Sequence, residues 1–204
     1  GGYLAVDTSS PIFLRGDTIF IPSVLVSYYG MALDEKTPLL KANAALDKQG
    51  SRLLKHLGLN VTSGITTNIG LEQEIFLIPR DQYYRRPDLQ LTGRTIIGRD
   101  APRGQEMSDH YMAPLSSSTA ALACMQEIQD EAWRMGIPLK TRHREVAPNQ
   151  FEFAPLYGNN TTQIDQNLMV MQIIEEVAAK HGLAALLQEK PFNDINGSGK
   201  HNNW

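Results

Sequence analysis

The sequence predicts an α+β fold, and three observations carry that prediction. Strand-like and helix-like stretches have comparable weight. They do not alternate in the regular strand–helix–strand rhythm that a doubly wound parallel sheet requires. The clearest strand pair, KTRHREVAPNQFEFAPLY (residues 140–157), is interrupted only by a proline turn, as in an antiparallel hairpin.

The elements follow in order. DTIFIPSVLVSYYG (17–30) is rich in β-branched and aromatic residues but broken by Pro22, which predicts short or edge strands. Residues 37–57 have apolar positions at helical spacing, Pro38 in the first turn and Gly58 to end them. NIGLEQEIFLIPR (68–80) is a strand that Pro79 closes. The polar, turn-rich stretch after it reads as one long loop, of a length usually tied to function or assembly. Ser116–Ser118 cap a helix running to Met135, stopped by Gly136 and Pro138. A last helix spans about 163–181, and LAALLQEKPF leads into a glycine-rich turn with no further element expected. No internal repeat or low-complexity tract is present, and residues 1–204 are read as a single, incomplete domain. Gly1 and Trp204 both read as positions within a longer protein.

Composition narrows the function classes. With 42% hydrophobic and 20% charged residues the chain is globular, and a net charge of −3 gives no electrostatic reason to expect nucleic acid or an anionic membrane. No apolar run reaches the length of a membrane span. A lone cysteine, Cys124, cannot form an internal disulfide, which points to a reducing, cytoplasmic setting.

The chemistry sits in the carboxylates. Glu72 and Glu74 are two apart in a strand, so both leave the same face about 7 Å apart, while Gln73, Ile75 and Leu77 point the other way. Taken alone this is an ordinary solvated face. The second pair changes the balance. If Pro148 and Asn149 are the two central turn residues, Glu145 faces Glu152, and like charges directly opposite one another destabilise a strand pair. Two such pairs on neighbouring strands would form a cage of hard oxygen ligands suited to Mg²⁺ or Mn²⁺. Paired carboxylates also serve glycosidases, but four converging acids fit metal chemistry better.

The terminal stretch KPFNDINGSGKHNNW suggests a phosphate-binding loop at first sight. The pattern fails: Asp194 stands where its first glycine is needed, and His201 where Ser or Thr must follow Lys200. A plain turn is one reading, and His201 as a metal ligand beside the cage is the other.

Taken together, EQE, HREVAPNQFEFAP and KPFNDINGSGKHNNW, in this order and spacing, resemble the glutamine synthetases. GQEMSDHYM, KTRHREVAPNQFE and GKHNNW resemble the type III enzymes in particular. The resemblance covers roughly Gly2 to Trp204. It implies the N-terminal and central part of a glutamine synthetase/guanido kinase-like catalytic domain, an antiparallel curved sheet flanked by helices. It implies that Glu74, Glu145 and Glu152 hold one metal, and that Glu72 and His201 hold a second one near the ATP phosphates. Asn196, Gly197 and Gly199 correspond to glutamate-binding positions, and Tyr157 and Asn203 to nucleotide contacts. Asn203 stands where the family carries a second histidine, and Lys140 where type I enzymes carry an acidic nucleotide contact.

The implied activity is ATP-dependent ligation of ammonia to L-glutamate through a γ-glutamyl phosphate, with Mg²⁺ or Mn²⁺ as cofactor. The implied partners are ATP, glutamate, ammonium and further copies of the chain, as a dodecamer of two hexameric rings. Two rivals stand beside it: a non-catalytic metal-binding or assembly module, and another guanido-kinase-like phosphotransferase. Cys124 is expected to be a core thiol, and His56, His110 and His143 carry no assigned role.

Overall fold

The computed structural model describes residues 1–99, 119–197 and 199–204. GQEMSDHYM, the Ser116–Ser118 cap and His110 lie outside these residues. Two compact units are formed, one by Gly1–Ile69 with Tyr157–Asp165 and Trp204, the other by Gly70–Leu156 with Gln166–Asn203.

In the first unit, β1 (Gly2–Val6) pairs antiparallel with β4 (Ser23–Ser27), and β2 (Phe13–Arg15) with β3 (Thr18–Phe20). Pro22 separates β3 from β4, as a residue without a ladder N–H should. The helix α1 (Lys36–His56) follows, with Pro38 in its first turn and Gly58 at φ 80° beyond its end. Its first residue anchors this unit. Lys36 Nζ reaches Asp7 Oδ2 at 2.6 Å and Asp165 Oδ2 at 2.5 Å, and donates to Ser10 Oγ at 3.0 Å. Asp7 also accepts the backbone N–H and the hydroxyl of Ser9. Burial opposes the charge on Asp7, yet Lys36 and Ser9 outweigh it and hold its carboxyl down at about 2.

The strand β5 (Asn68–Pro79) begins in the first unit, where it meets the two-residue β8 (Gly158–Asn159), and continues into the second. There it is the centre of an open antiparallel sheet. β10 (Lys200–Asn203) lies on one side and β7 (Gln150–Pro155) on the other, with β6 (Leu139–Arg144) outside β7. β9 (Leu183–Leu186) pairs with the last part of β5. The helices α4 (Thr119–Arg134) and α5 (Asn160–Lys180) supply the other half of the core.

Alternation along β5 decides which face is which. Ile75 and Leu77 join Phe151 and Phe153 of β7, and these meet Met125 and Ile128 of α4 and Ile173 and Ile174 of α5, all buried. Cys124 lies in this cluster, fully buried, and burial pushes its thiol up to about 12, so it is an inert core residue as expected. The opposite face carries Glu72, Glu74 and Glu152.

Several expectations need correction. The stretch after Pro79 does not begin as loop: α2 (Arg80–Tyr84) and α3 (Pro87–Thr92) occupy it, with Pro87 at a helix start. Residues 183–186 and 200–203 are strands, where only connection and turn were expected. Four-residue strands carry little periodic signal of their own. Pairing with β5 defines both.

Candidate metal centre

The centre is built on three adjacent strands. Glu74 of β5 stands opposite Glu152 of β7, which stands opposite His143 of β6. Residues directly opposite share a face, so the three form one row across the sheet. Two residues away along β5, Glu72 stands opposite His201 of β10, and His201 Nδ1 lies 2.8 Å from Glu72 Oε2. Four carboxylates and two imidazoles therefore lie on one face, once Glu145 is added from the end of β6.

Glu145 reaches the row by a different register from the one expected. The hairpin is wider than a two-residue turn. Gln150 N–H donates to the Ala147 carbonyl at 3.1 Å and Glu145 N–H to the Gln150 carbonyl at 2.9 Å. Pro148 and Asn149 do occupy the centre of the turn, with Asn149 at φ 59°, but Glu145 stands opposite Gln150, so Val146 and Ala147 widen the connection. Glu152 consequently faces His143 instead of Glu145. Glu145, two residues on from His143 and opposite Gln150, shares its face, and His143 Nε2 lies 3.0 Å from Glu145 Oε1 and 3.4 Å from Glu152 Oε1.

His143, Glu145 and Glu152 each offer a ligand atom, and these atoms lie within 4.8 Å of one another. Sequence reasoning left His143 without a role. The signal was present: in HRE the histidine is two residues before Glu145, the same-face spacing that singled out Glu72 and Glu74.

The electrostatics are those of an acid cluster short of positive charge. Burial first, then the charges of Glu72 and Glu145, push the Glu152 carboxyl up to about 8. Glu74 is raised by burial and by Glu145, and its Oε2 is buried with no hydrogen-bond partner among the described residues. The His143 imidazole is raised in turn, first by its hydrogen bond to Glu145. Hard oxygen donors, an imidazole on either side and an orphaned carboxylate oxygen fit a divalent cation of the Mg²⁺ or Mn²⁺ type.

The glycine turn is fixed against the same strand. The Gly199 carbonyl accepts the Glu74 N–H at 3.0 Å and the Gln73 amide Nε2 at 2.7 Å, which seats β10 beside β5. A Cβ on Gly199 would meet the Leu187 carbonyl oxygen at 2.9 Å. Gly197 lies over the Phe76 ring, where a Cβ would come within 3.0 Å of Cε2. Both positions need glycine because the backbone approaches a neighbour closely, not because of φ. Asn196 is half-buried just before this contact, and Asn203 sits on β10 opposite Gly70. Tyr157 belongs to the first unit and is 76% exposed.

This arrangement defines a class: an α+β protein with a candidate divalent-metal centre on the face of an open antiparallel sheet. Residues 51–204 match the family described as glutamine synthetase, catalytic domain, and residues 1–42 match glutamine synthetase type III N terminal. The chain belongs to the glutamine synthetase family. It is 48% identical to a glutamine synthetase of Bacteroides fragilis and 45% identical to the type-3 glutamine synthetase of Dictyostelium discoideum, each over the whole of this chain. It spans only 27% and 28% of those relatives' lengths. Among solved structures, the cryo-EM structure of Plasmodium falciparum glutamine synthetase aligns over 100% of this chain and 41% of its own, with TM-score 0.57 and 20% identity. Ligand-free GmaS aligns over 98% of this chain and 41% of its own, at TM-score 0.66 and 20% identity. These likenesses show the fold. No helix among the described residues is long and apolar enough to cross a membrane.

Proposed function

We propose that this chain carries the metal-binding part of an active site that ligates ammonia to the γ-carboxylate of L-glutamate at the expense of ATP. The observation that supports it best is the row Glu74–Glu152–His143 with Glu72–His201 beside it. Glu74, Glu145 and Glu152 would hold one cation, and Glu72 and His201 a second. Divalent cations, when bound, neutralise phosphate charge, which is the main requirement of phosphoryl transfer.

The chain's own residues do the rest of what can be derived. The β5–β7–β6 register holds the carboxylates in place, and the Gly199 anchor keeps His201 opposite Glu72. The close approach of Gly197 to Phe76 fixes the Asn196–Gly197 backbone, the positions we assign to glutamate, with Gly199 after them. Tyr157 and Asn203 are assigned to the nucleotide. The same reading makes the whole protein a cytoplasmic homo-oligomer of two hexameric rings, and residues 1–204 the N-terminal and central part of its catalytic region.

Mn²⁺ titration of the chain, followed by electron paramagnetic resonance, tests the cage. Wild type is expected to bind, and Glu145→Ala and Glu152→Ala each to bind about tenfold more weakly or worse. Unchanged affinity in both variants would overturn the assignment. With ATP, glutamate and ammonium the chain alone should release little phosphate, since it spans about a quarter of its relatives' length.

A further inference from the structure

A second feature lies on the same sheet face as the cage. Glu72, Glu74, Phe76 and Ile78 follow one another on β5 at two-residue steps. The 191–197 loop crosses this face at Phe76, where Gly197 lies over the ring and Phe192 packs edge-on at 5.1 Å between centroids. Beyond the loop, over Ile78 and Pro79, opens a cleft of about 1200 Å³. Ile78 is four residues from Glu74, or about 13 Å by strand rise.

The cleft has two built walls. One is the 94–99 segment. Asp88, with its side chain 1% exposed, receives Arg86 at 2.9 and 2.6 Å and accepts the backbone N–H groups of Ile96 and Ile97. Arg86 also donates to the Ile97 carbonyl at 2.7 Å. The other wall is the 190–196 loop, tied to the first by Thr95, whose N–H and hydroxyl both donate to the Pro191 carbonyl. The Gln188 amide donates to the Gly93 carbonyl at 2.8 Å and closes the base of the same segment. These bonds fix a loop that contributes little to the core, since Ile96 and Ile97 remain 69% and 64% exposed. A preformed site avoids the ordering cost of binding.

The described lining is cationic and apolar together. Arg94, Arg99 and Lys190 face the cleft, and among the described residues none of the three has a carboxylate partner. The one acid on the described lining is Asp194, and Arg86 is already committed to Asp88. Ile78, Ile96, Ile97, Phe192 and Ile195 supply apolar surface beside these charges. Arginines beside exposed isoleucines suit a molecule with an anionic group at one end and a greasy body at the other.

We propose that this cleft binds a small organic anion, a phosphate or carboxylate carried on an apolar, ring-sized body. The test uses phenyl phosphate as probe, titrated into the chain by isothermal calorimetry in EDTA and again in Mn²⁺, with benzoate as the carboxylate arm and benzyl alcohol as the neutral one. Saturable binding of phenyl phosphate or benzoate is expected, with the same affinity in EDTA and Mn²⁺. Arg94→Ala and Lys190→Ala should each weaken it about tenfold, the size of one lost charge-assisted contact. Both side chains are exposed, so an unchanged melting temperature will accompany the loss. Equal binding by the double variant, or equal binding of benzyl alcohol, would overturn the proposal. Because EDTA removes the cation, failure of the cage assignment leaves this result untouched; Asn196, assigned above to glutamate, also lines the cleft, so displacement of the probe by L-glutamate would overturn the proposal.

Discussion

Replacing Glu152 by Gln keeps the shape of the side chain and removes its charge. In the metal-free chain Glu152 is nearly buried, between His143 and Glu74, with its carboxyl raised to about 8 against 4.5 in the unfolded chain. A raised carboxyl means that the folded state holds a proton that the unfolded state releases as pH rises through 4.5. At pH 7 that difference costs the folded chain about 3 kcal/mol relative to a neutral side chain. His143 acts in the same direction: its raised imidazole contributes stability below its unfolded value, lost as pH rises through the folded one. The metal-free wild type should therefore lose stability steadily between pH 5 and pH 8. For a chain of this size the Glu152 contribution corresponds to about 6–12 °C in Tm. Glu152→Gln should show a much flatter profile and melt higher than wild type at pH 8. Added Mn²⁺ should raise the wild-type Tm at pH 8 and raise that of the variant by less, since only the Glu72–His201 position is left intact. Calorimetric melts at four pH values in EDTA and in Mn²⁺ give the answer. Parallel pH profiles, or a variant less stable than wild type at pH 8 without metal, would refute the account of the acid cluster.

Further expectations concern the scaffold. Gly197→Ala drives a Cβ to 3.0 Å from the buried Phe76 ring and should cost about 1–3 kcal/mol, read as a lower urea midpoint. Lys36→Met strands the buried Asp7 carboxylate and should cost about 3 kcal/mol at pH 7. That contribution is present above the unfolded Asp value of 3.8 and disappears as pH falls through about 2, so the two proteins should converge in strong acid. The Cys124 thiol, fully buried and raised to about 12, should ignore a disulfide reagent at pH 8 until the chain is unfolded in urea. Rapid labelling of the native protein would mean the α4–α5 core is open.

The candidate site was legible to the extent that it rests on alternation. Two-residue spacing set Glu72 with Glu74 on one face and Ile75 and Leu77 on the other, and the buried cluster follows that division. The three long helices were visible through their period, Pro38 and the closing glycines, whereas the short α2 and α3 were not. The hairpin register was not. Pro148 and Asn149 sit at the turn centre as read, but Val146 and Ala147 widen the connection, so Glu152 met His143 and Glu145 came opposite Gln150. Nor did the sequence reveal that Lys200–Asn203 is a strand, since its ladder partner is the edge of β5, far away in the chain.

The sequence by itself marked the candidate groups, four glutamates in strand-like stretches and a histidine in the terminal turn, on a chain whose order of elements favours α+β over a doubly wound sheet. These are local properties, read from side-chain type and period. Which groups meet was decided only by tertiary structure, because pairing between strands distant in the chain depends on turn geometry and on a shared core. That pairing brought His143 into the candidate centre and left Glu74 with a buried oxygen that has no partner among the described residues. It also raised two walls around a cationic cleft that no local pattern marks.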